Sequence, residues 1–379
     1  MKRFLAAGSV VAVLAACTPA AAPTSPEAAG SATVIRLGYI GPLTGDAASY
    51  GKDTLNGVRM AIAELNAAEG GPKFELVAED GRCNGTDAAS AAQKLVTINK
   101  VAAIVGGQCS GETLAAAPIA ESNKIVLISP ISTSPDVTTA GEFVFRVSPS
   151  DALKAKATAA VFAENGYVKV AMLTENTDYA VGLQKALRGE VGEENVVFDE
   201  LVPAGSKDVR SLVSRLKNLE FDVLFLNGQS DAVIAAMAQQ IREQGIEQPF
   251  FSQDVADSVT LGELAAEAVE GLQLINTSSK LGDGGEGSFG ARFRAQYGEP
   301  QANLSFATLA HDATMVVAAA LADGKTGDAL KDALLDLDSF TGAAGTFHFD
   351  DNGDVTGIGY ALKEFKDGKI VELKDIAAE

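Results

Sequence analysis

Apolar, β-branched runs alternate with amphipathic helical stretches along this chain, and the whole alternation occurs twice. The run 34–40 stops at Gly41-Pro42. Leu55, Val58, Ile62 and Leu65 then recur at spacings of three and four, one face of a helix that Gly70-Gly71 ends. The same reading predicts a strand over 74–77, a helix over 87–99 and a buried strand over 101–105 that runs into Gly106-Gly107. A helix over 112–123 and a strand over 125–128 follow. These strand runs lack polar alternation, which suits a parallel sheet covered on both faces. The series restarts with strands over 168–173, 196–201 and 223–226 and helices over 179–188, 211–218 and 232–244. Phe250-Phe251, a helix over 261–268 and a strand over 272–275 complete it. Two doubly wound α/β units follow from this, in agreement with the two domains that 379 residues suggest. Beyond them, 282–290 reads as a glycine-rich loop and 303–321 as a long helix. The C-terminus reads as strands turning at Asn352-Gly353 and Asp367-Gly368.

The N-terminus has a different character. Lys2 and Arg3 precede an apolar stretch, 4–16, too short to span a bilayer, and Leu14-Ala15-Ala16-Cys17 closes it. The segment 1–16 is similar to a bacterial lipoprotein signal, which implies that Cys17 becomes the mature N-terminus and carries acyl chains; an ordinary secretory signal is the alternative. Residues 17–33 are rich in Ala, Pro, Ser and Thr and read as a flexible tether. The chain is therefore expected to be exported and lipid-anchored, facing the periplasm or the cell exterior. Cys83 and Cys109 remain, and in an oxidising compartment two cysteines most simply pair, with two free buried thiols as the alternative.

The formal charge is −20, and loss of 1–16 makes it −22. With no basic run, such a chain repels phosphate backbones, so nucleic acid is not expected as a partner. Two histidines, three cysteines and no tryptophan leave little material for a metal or haem site, and no cofactor is expected.

In open α/β sheets ligands bind beyond the carboxyl ends of the strands. Here those segments are 41–50, 107–110, 129–134, 174–179, 227–230 and 252–254. They are rich in Ser, Thr, Gly, Gln and Asp and contain no cation. Backbone N–H groups at helix starts can hold an anion without Lys or Arg, and Asp254 can face a cation. That inventory suits a small zwitterion better than a phosphate.

The ordered set Ile40-Gly41-Pro42-Leu43-Thr44-Gly45, Tyr50-Gly51-Lys52-Asp53, Asn56-Gly57, Glu64-Leu65-Asn66, Glu79-Asp80, Gly106-Gly107-Gln108-Cys109-Ser110 and Ile128-Ser129-Pro130 resembles the branched-chain amino-acid-binding (Leu/Ile/Val-binding-like) proteins of bacterial ABC importers. The resemblance runs from about Val34 to the C-terminus. It implies the type I periplasmic binding fold, two Rossmann-like lobes joined by a three-crossover hinge, with 34–147 plus 277–355 in one lobe and 148–276 plus 356–379 in the other. It also implies a Cys83–Cys109 disulfide, a small zwitterionic or polar ligand, and an ABC permease as partner. Carried over residue by residue, Ser110 and Thr133 match the pair that holds the ligand carboxylate. The Ser132 carbonyl and Asp254 match the ammonium site, Tyr179 is a further polar contact, and Tyr50 walls the ligand side chain. Gln229 stands where the family often has an aromatic, and Asp254 is shorter than the commoner Glu. These departures argue against leucine, isoleucine or valine as the ligand and leave a polar amino acid, an amide or a short-chain organic compound as the expected classes.

Other readings need other observations. Ser110 and Thr133 can cap helices, and Tyr50 and Tyr179 can be rim aromatics. Gly285-Glu286-Gly287-Ser288-Phe289-Gly290 matches a dinucleotide motif, but no βαβ unit surrounds it and Asp283 and Glu286 repel pyrophosphate. The acids at 350–354 lack calcium-loop spacing, and His311 sits in an apolar helix as a core histidine would. A sensing or assembly lipoprotein can reuse the fold without transport. Gly107-Gln108-Cys109-Ser110-Gly111 also has the shape of a nucleophile elbow, so an exported cysteine hydrolase is the rival class. Thiol titration of the native protein separates the two. No alkylation at Cys83 or Cys109 is expected, and an alkylatable Cys109 favours the hydrolase.

Overall fold

The computed structural model describes Met1 and residues 33–278 and 280–377. The signal, Cys17 and nearly all of the expected tether lie outside the described residues.

Strands β1 (Val34–Gly41), β2 (Lys73–Asp80), β3 (Ala103–Val105), β4 (Val126–Ser129) and β5 (Val144–Arg146) form one parallel sheet in the order β2-β1-β3-β4-β5. Helices α1 (Ala48–Ala67), α2 (Gly85–Lys94) and α3 (Ser110–Asn123) connect them. The chain then crosses to a second sheet through α4 (Asp151–Asn165). It continues as β6 (Val170–Glu175), α5 (Asp178–Val191), β7 (Val196–Val202), α6 (Arg210–Leu216), β8 (Val223–Asn227), α7 (Asp231–Glu243), β9 (Phe250–Ser252), α8 (Val259–Val269) and β10 (Gln273–Thr277). Next it returns to the first sheet with α9 (Phe289–Tyr297), α10 (Leu304–Ala322) and α11 (Asp328–Leu335). A small antiparallel sheet follows, made of β11 (Phe340–Gly342), β12 (Gly345–Phe349) and β13 (Val355–Thr356). A third crossing adds β14 (Tyr360–Lys366) antiparallel to β10 and β15 (Lys369–Ile376) antiparallel to β14, giving the order β15-β14-β10-β9-β8-β6-β7.

The strands form where the β-branched runs lie because both faces of each sheet are covered. Leu37, Val105 and Ile128 pack with Leu309, Val316 and Val317 of α10 on one side of the first sheet. Ile40, Ile104 and Leu127 meet Ala92 and Ala117 on the other. Among the described residues α10 is the one helix long and apolar enough to cross a membrane, but it is buried in this core.

Three helices were not expected. Ser150 caps α4 by accepting from the Ala152 N–H, Asp151 occupies its first turn, and Gly166 ends it in the left-handed conformation. The stretch 282–290, expected as a loop, ends inside α9, which Ser288 caps. Helix α11 is a two-turn element against α10.

Buried ion pairs join the segments where the chain crosses. Arg146, fully buried at the end of β5, uses all five N–H donors. Two go to Asp354 at 2.6 and 2.5 Å, two to the carbonyls of Thr133 and Ser134, and one to Thr138 Oγ1. Lys363 of β14 donates to Asp257 Oδ2 at 2.5 Å, which also accepts from Asn276 at 2.8 Å.

Helices α1 and α10 come close at Gly57, where an added Cβ would lie 2.1 Å from the Ala307 carbonyl oxygen. Gly57→Ala should force the helices apart at a cost of about 1–3 kcal/mol, the range for overpacking. Thermal melting should show Tm lowered by several degrees; an unchanged Tm would mean that the helices do not meet there.

Candidate functional site

The carboxyl ends of the two parallel sheets face one another. On the first side, α3 starts at Ser110, straight after the disulfide that joins Cys83 to Cys109 with their Cα atoms 5.3 Å apart. Glu112 organises this turn. Its carboxylate accepts the N–H groups of Cys83 and Gln108 at 2.9 Å and Cys109 at 3.1 Å. Burial pushes this carboxyl up to about 7 against those three donors. The Ser110 hydroxyl accepts from Ser134 N–H at 3.2 Å, which leaves its own O–H free to donate.

On the second side, α5 begins at Asp178 behind the Thr177 cap and presents Tyr179. The Glu175 carboxylate at the end of β6 accepts from the backbone N–H of Gly205 (2.7 Å) and Gln229 (2.6 Å), fixing the loop after β8. Ser252 Oγ ties the end of β9 to the Leu226 carbonyl at 2.6 Å, and Asp254 follows two residues later.

Between these walls lies a pocket lined on the first side by Tyr50, Gln108, Cys109, Ser110, Ile131 and Phe306, and on the second by Tyr179, Gln229, Asp254 and Val255. It offers about 40 Å³ to the centre of a water molecule. The walls touch around it. Tyr50 donates to the Val255 carbonyl at 3.4 Å, Gln229 Nε2 meets Cys83 Sγ, and Lys207 pairs with Asp46 at 2.9 Å. The Tyr50 ring also packs at a tilt against Phe306, with the ring centres 5.7 Å apart.

Of the seven ligand residues read from the sequence, Tyr50, Ser110, Tyr179, Gln229 and Asp254 line this pocket. Ser132, expected to contribute its carbonyl, and Thr133 are not among its lining residues, and their side chains are engaged elsewhere. Ser132 Oγ bonds to the Gly107 carbonyl at 3.1 Å and Thr113 Oγ1 at 2.7 Å, and Thr133 Oγ1 donates to Asp151 at 2.9 Å. Sequence reasoning missed Gln108, Ile131, Val255 and Phe306, and above all Lys154. The strand-end segments hold no cation, but α4 brings one in: Lys154 is 1% exposed, donates to Asp254 and forms an ion pair with Asp151 at 2.6 Å. The Ser150-Asp151 helix start and Gly166 stop were the available signals for that helix.

Burial, reinforced by Asp231 and Asp254 at Tyr50 and by Asp254 and Asp151 at Tyr179, raises both phenols well above their usual range, so both stay neutral donors. Tyr179 donates to Gln253 Oε1 and, at 2.9 Å, to Asp254. Burial opposes the Lys154 charge, but Asp151 and Asp254 outweigh it and hold the ammonium protonated. Asp231, near the Tyr50 and Ser258 hydroxyls, is pushed up to about 6 by burial. His311 bridges Asp312 (2.9 Å) and Glu64 (3.1 Å) away from the pocket. No cluster that would hold a metal occurs among the described residues.

The family model for periplasmic binding proteins matches residues 34–369. The chain belongs to that family. A Leu/Ile/Val-binding protein of Escherichia coli is 29% identical over 244 residues, 63% of this chain and 66%, just under two thirds, of that relative. A leucine-, isoleucine-, valine-, threonine- and alanine-binding protein of Pseudomonas aeruginosa is 27% identical over 353 residues, 91% of this chain and 93% of its own length. The crystal structure of a leucine binding protein from Thermotoga maritima superposes with a TM-score of 0.83 at 28% identity, covering 90% of this chain and 99% of that one. Like that structure, this periplasmic binding protein has the type I fold, with two α/β lobes and three crossings. The Cys83–Cys109 bond occupies the sulfur that a cysteine hydrolase would need as a thiolate.

A pH test follows from Glu112. Its folded-state carboxyl titrates above its ordinary value, so the native state holds a proton that the unfolded chain has lost. That contribution to stability is present at acid pH and is lost as pH rises from about 4.5 to about 7. Tm should fall across this window, and Glu112→Gln should flatten part of the slope. An equal slope in the variant would rule Glu112 out as its source.

Proposed function

We propose that this protein is an exported solute-binding lipoprotein that captures an amino acid or a related small polar solute and delivers it to an ABC permease. Cys17 carries the lipid. The two lobes are 34–147 plus 277–355 and 148–276 plus 356–379, and they close on the ligand about the crossovers. No bond is made or broken.

The observation that carries this reading is the composition of the pocket: an acid on one wall, Asp254, and a hydroxyl donor on the other, Ser110. An ammonium on Asp254 and a carboxylate near Ser110 and the start of α3 complete the unsatisfied polar groups of both walls. Tyr50, Ile131 and Phe306 supply an apolar side for the rest of the solute. The relatives that bind branched-chain amino acids, threonine and alanine support this class of ligand. The Gln229 amide and the short Asp254 widen the range toward polar members.

A thermal-shift screen against amino acids, amides, short-chain acids and ureas tests the reading. A true ligand at a hundredfold excess over Kd should stabilise the fold by about 2.7 kcal/mol. If no compound moves Tm, solute capture is refuted. Asp254→Asn should weaken the best amino acid by about tenfold or more, the value of one hydrogen bond to a charged group. Near-native affinity by calorimetry would place the ammonium elsewhere.

A further inference from the structure

The two oxygens of Asp254 keep different company. Oδ1 accepts from Lys154 Nζ and from Tyr179 at 2.9 Å. Oδ2 takes no hydrogen bond from the described residues, and Asp254 lines the pocket. Lys154 in turn lies 2.6 Å from Asp151 Oδ1, and Asp151 Oδ2 accepts from Thr133. A single buried cation therefore stands between two buried carboxylates, in a row that runs from Thr133 to the pocket. The other groups facing this row are the phenols of Tyr179 on α5, Tyr50 on α1 and Tyr360 on β14, with Arg146 and Asp354 beyond Tyr360. The phenols are neutral, and Arg146 is consumed by Asp354 and its carbonyl partners. No Lys or Arg lines the pocket itself.

We propose that Lys154 is a positioning residue that sets the selectivity of the pocket for ligands bearing one ammonium. It turns a single oxygen of Asp254 to the ligand and leaves the buried carboxylate pair with one net negative charge. The inference rests on the reading of the cleft as an amino-acid site and deepens it. A carboxylate without an ammonium meets that uncompensated charge and is rejected. A zwitterion neutralises it. Without Lys154, Asp151 and Asp254 become two like charges in a dry site, and the pair takes up a proton instead. The charge offered to the ligand then depends on pH, whereas the ammonium of Lys154 fixes it.

The test uses the full chain, calorimetry from pH 5.5 to 8.5, and two pairs of probes. L-valine is compared with isovalerate and L-threonine with 3-hydroxybutyrate, each pair differing only by the ammonium. Wild type should bind at least one of the amino acids with affinity flat in pH, and its deamino partner about tenfold more weakly or worse. Lys154→Met should make amino-acid affinity rise about tenfold toward high pH, as the shared proton is lost. Its ligand-free Tm should fall more steeply with rising pH than that of wild type, because the folded state holds that extra proton. Asp151→Asn/Lys154→Met restores one net negative charge and should return both profiles to those of wild type. A purely structural lysine predicts the opposite: weaker binding in Lys154→Met at every pH alike, and no recovery in the double variant. Either result overturns the proposal. Should Lys154→Met not fold, Lys154→Gln, which keeps two N–H donors for the carboxylates, carries the same pH test. If wild type binds neither amino acid, the functional reading itself falls and the selectivity goes with it. That outcome is distinct from amino acids that bind with a pH profile indifferent to Lys154.

Discussion

A cation buried away from water must be paired, and this structure places three such cations where its chain crosses between sheets. Arg146 is joined to Asp354, Lys154 to Asp151 and Asp254, and Lys363 to Asp257. Arg146 ends the last strand before the first crossing, Lys154 lies in the helix just after it, and Asp354 and Lys363 flank the third. Asp257 also meets Asn276, before the second crossing, while its carbonyl accepts from Asn303, after it. Breaking one partner of a buried pair costs about 3–5 kcal/mol, because the other charge is left alone in a poor solvent. Any relative motion of the two halves must therefore turn about these pairs rather than through them. The polar crossovers set where the fold can bend.

The faces that meet across the pocket obey a different rule. Ala47, Tyr50, Ala302 and Phe306 of the first half pack into the apolar cluster built by Leu224, Leu226 and Phe250 of the second. The Lys207–Asp46 pair at the rim is half-exposed on both sides, and such pairs contribute little. The two halves thus meet through apolar burial around a small polar centre. On the proposed function, a ligand that met Ser110 and Asp254 would shift the balance by its preference for the closed arrangement.

The strand–helix alternation was legible because buried parallel strands are continuous apolar runs, a signal that needs no partner. The five pocket-lining residues anticipated from the sequence all sit in the loops or first helical turns that follow strands, where the topology of an open sheet puts them. Helix α4 was missed for physical reasons. It follows β5, a three-residue strand too short to show a period, and its inner face is made of Ala155, Thr158, Val161 and Phe162 with lysine between. Lys154 itself violates the expectation that lysines are solvated, and its partner Asp254 is one hundred residues away. A pairing of that kind depends on the tertiary fold and leaves no local spacing to find. The same applies to Thr133, where the residue type suits a ligand contact but the neighbour Asp151 claims the hydroxyl.

The pocket has a kinetic meaning as well. Its walls touch through three polar contacts, and the space between them is on the scale of a few water molecules. A solute cannot diffuse into such a space; it must arrive while the halves stand apart and leave when they part again. On the proposed function, capture and release would be gated by the opening rate of the protein, so a permease that held the halves open would unload the solute without needing any affinity for it.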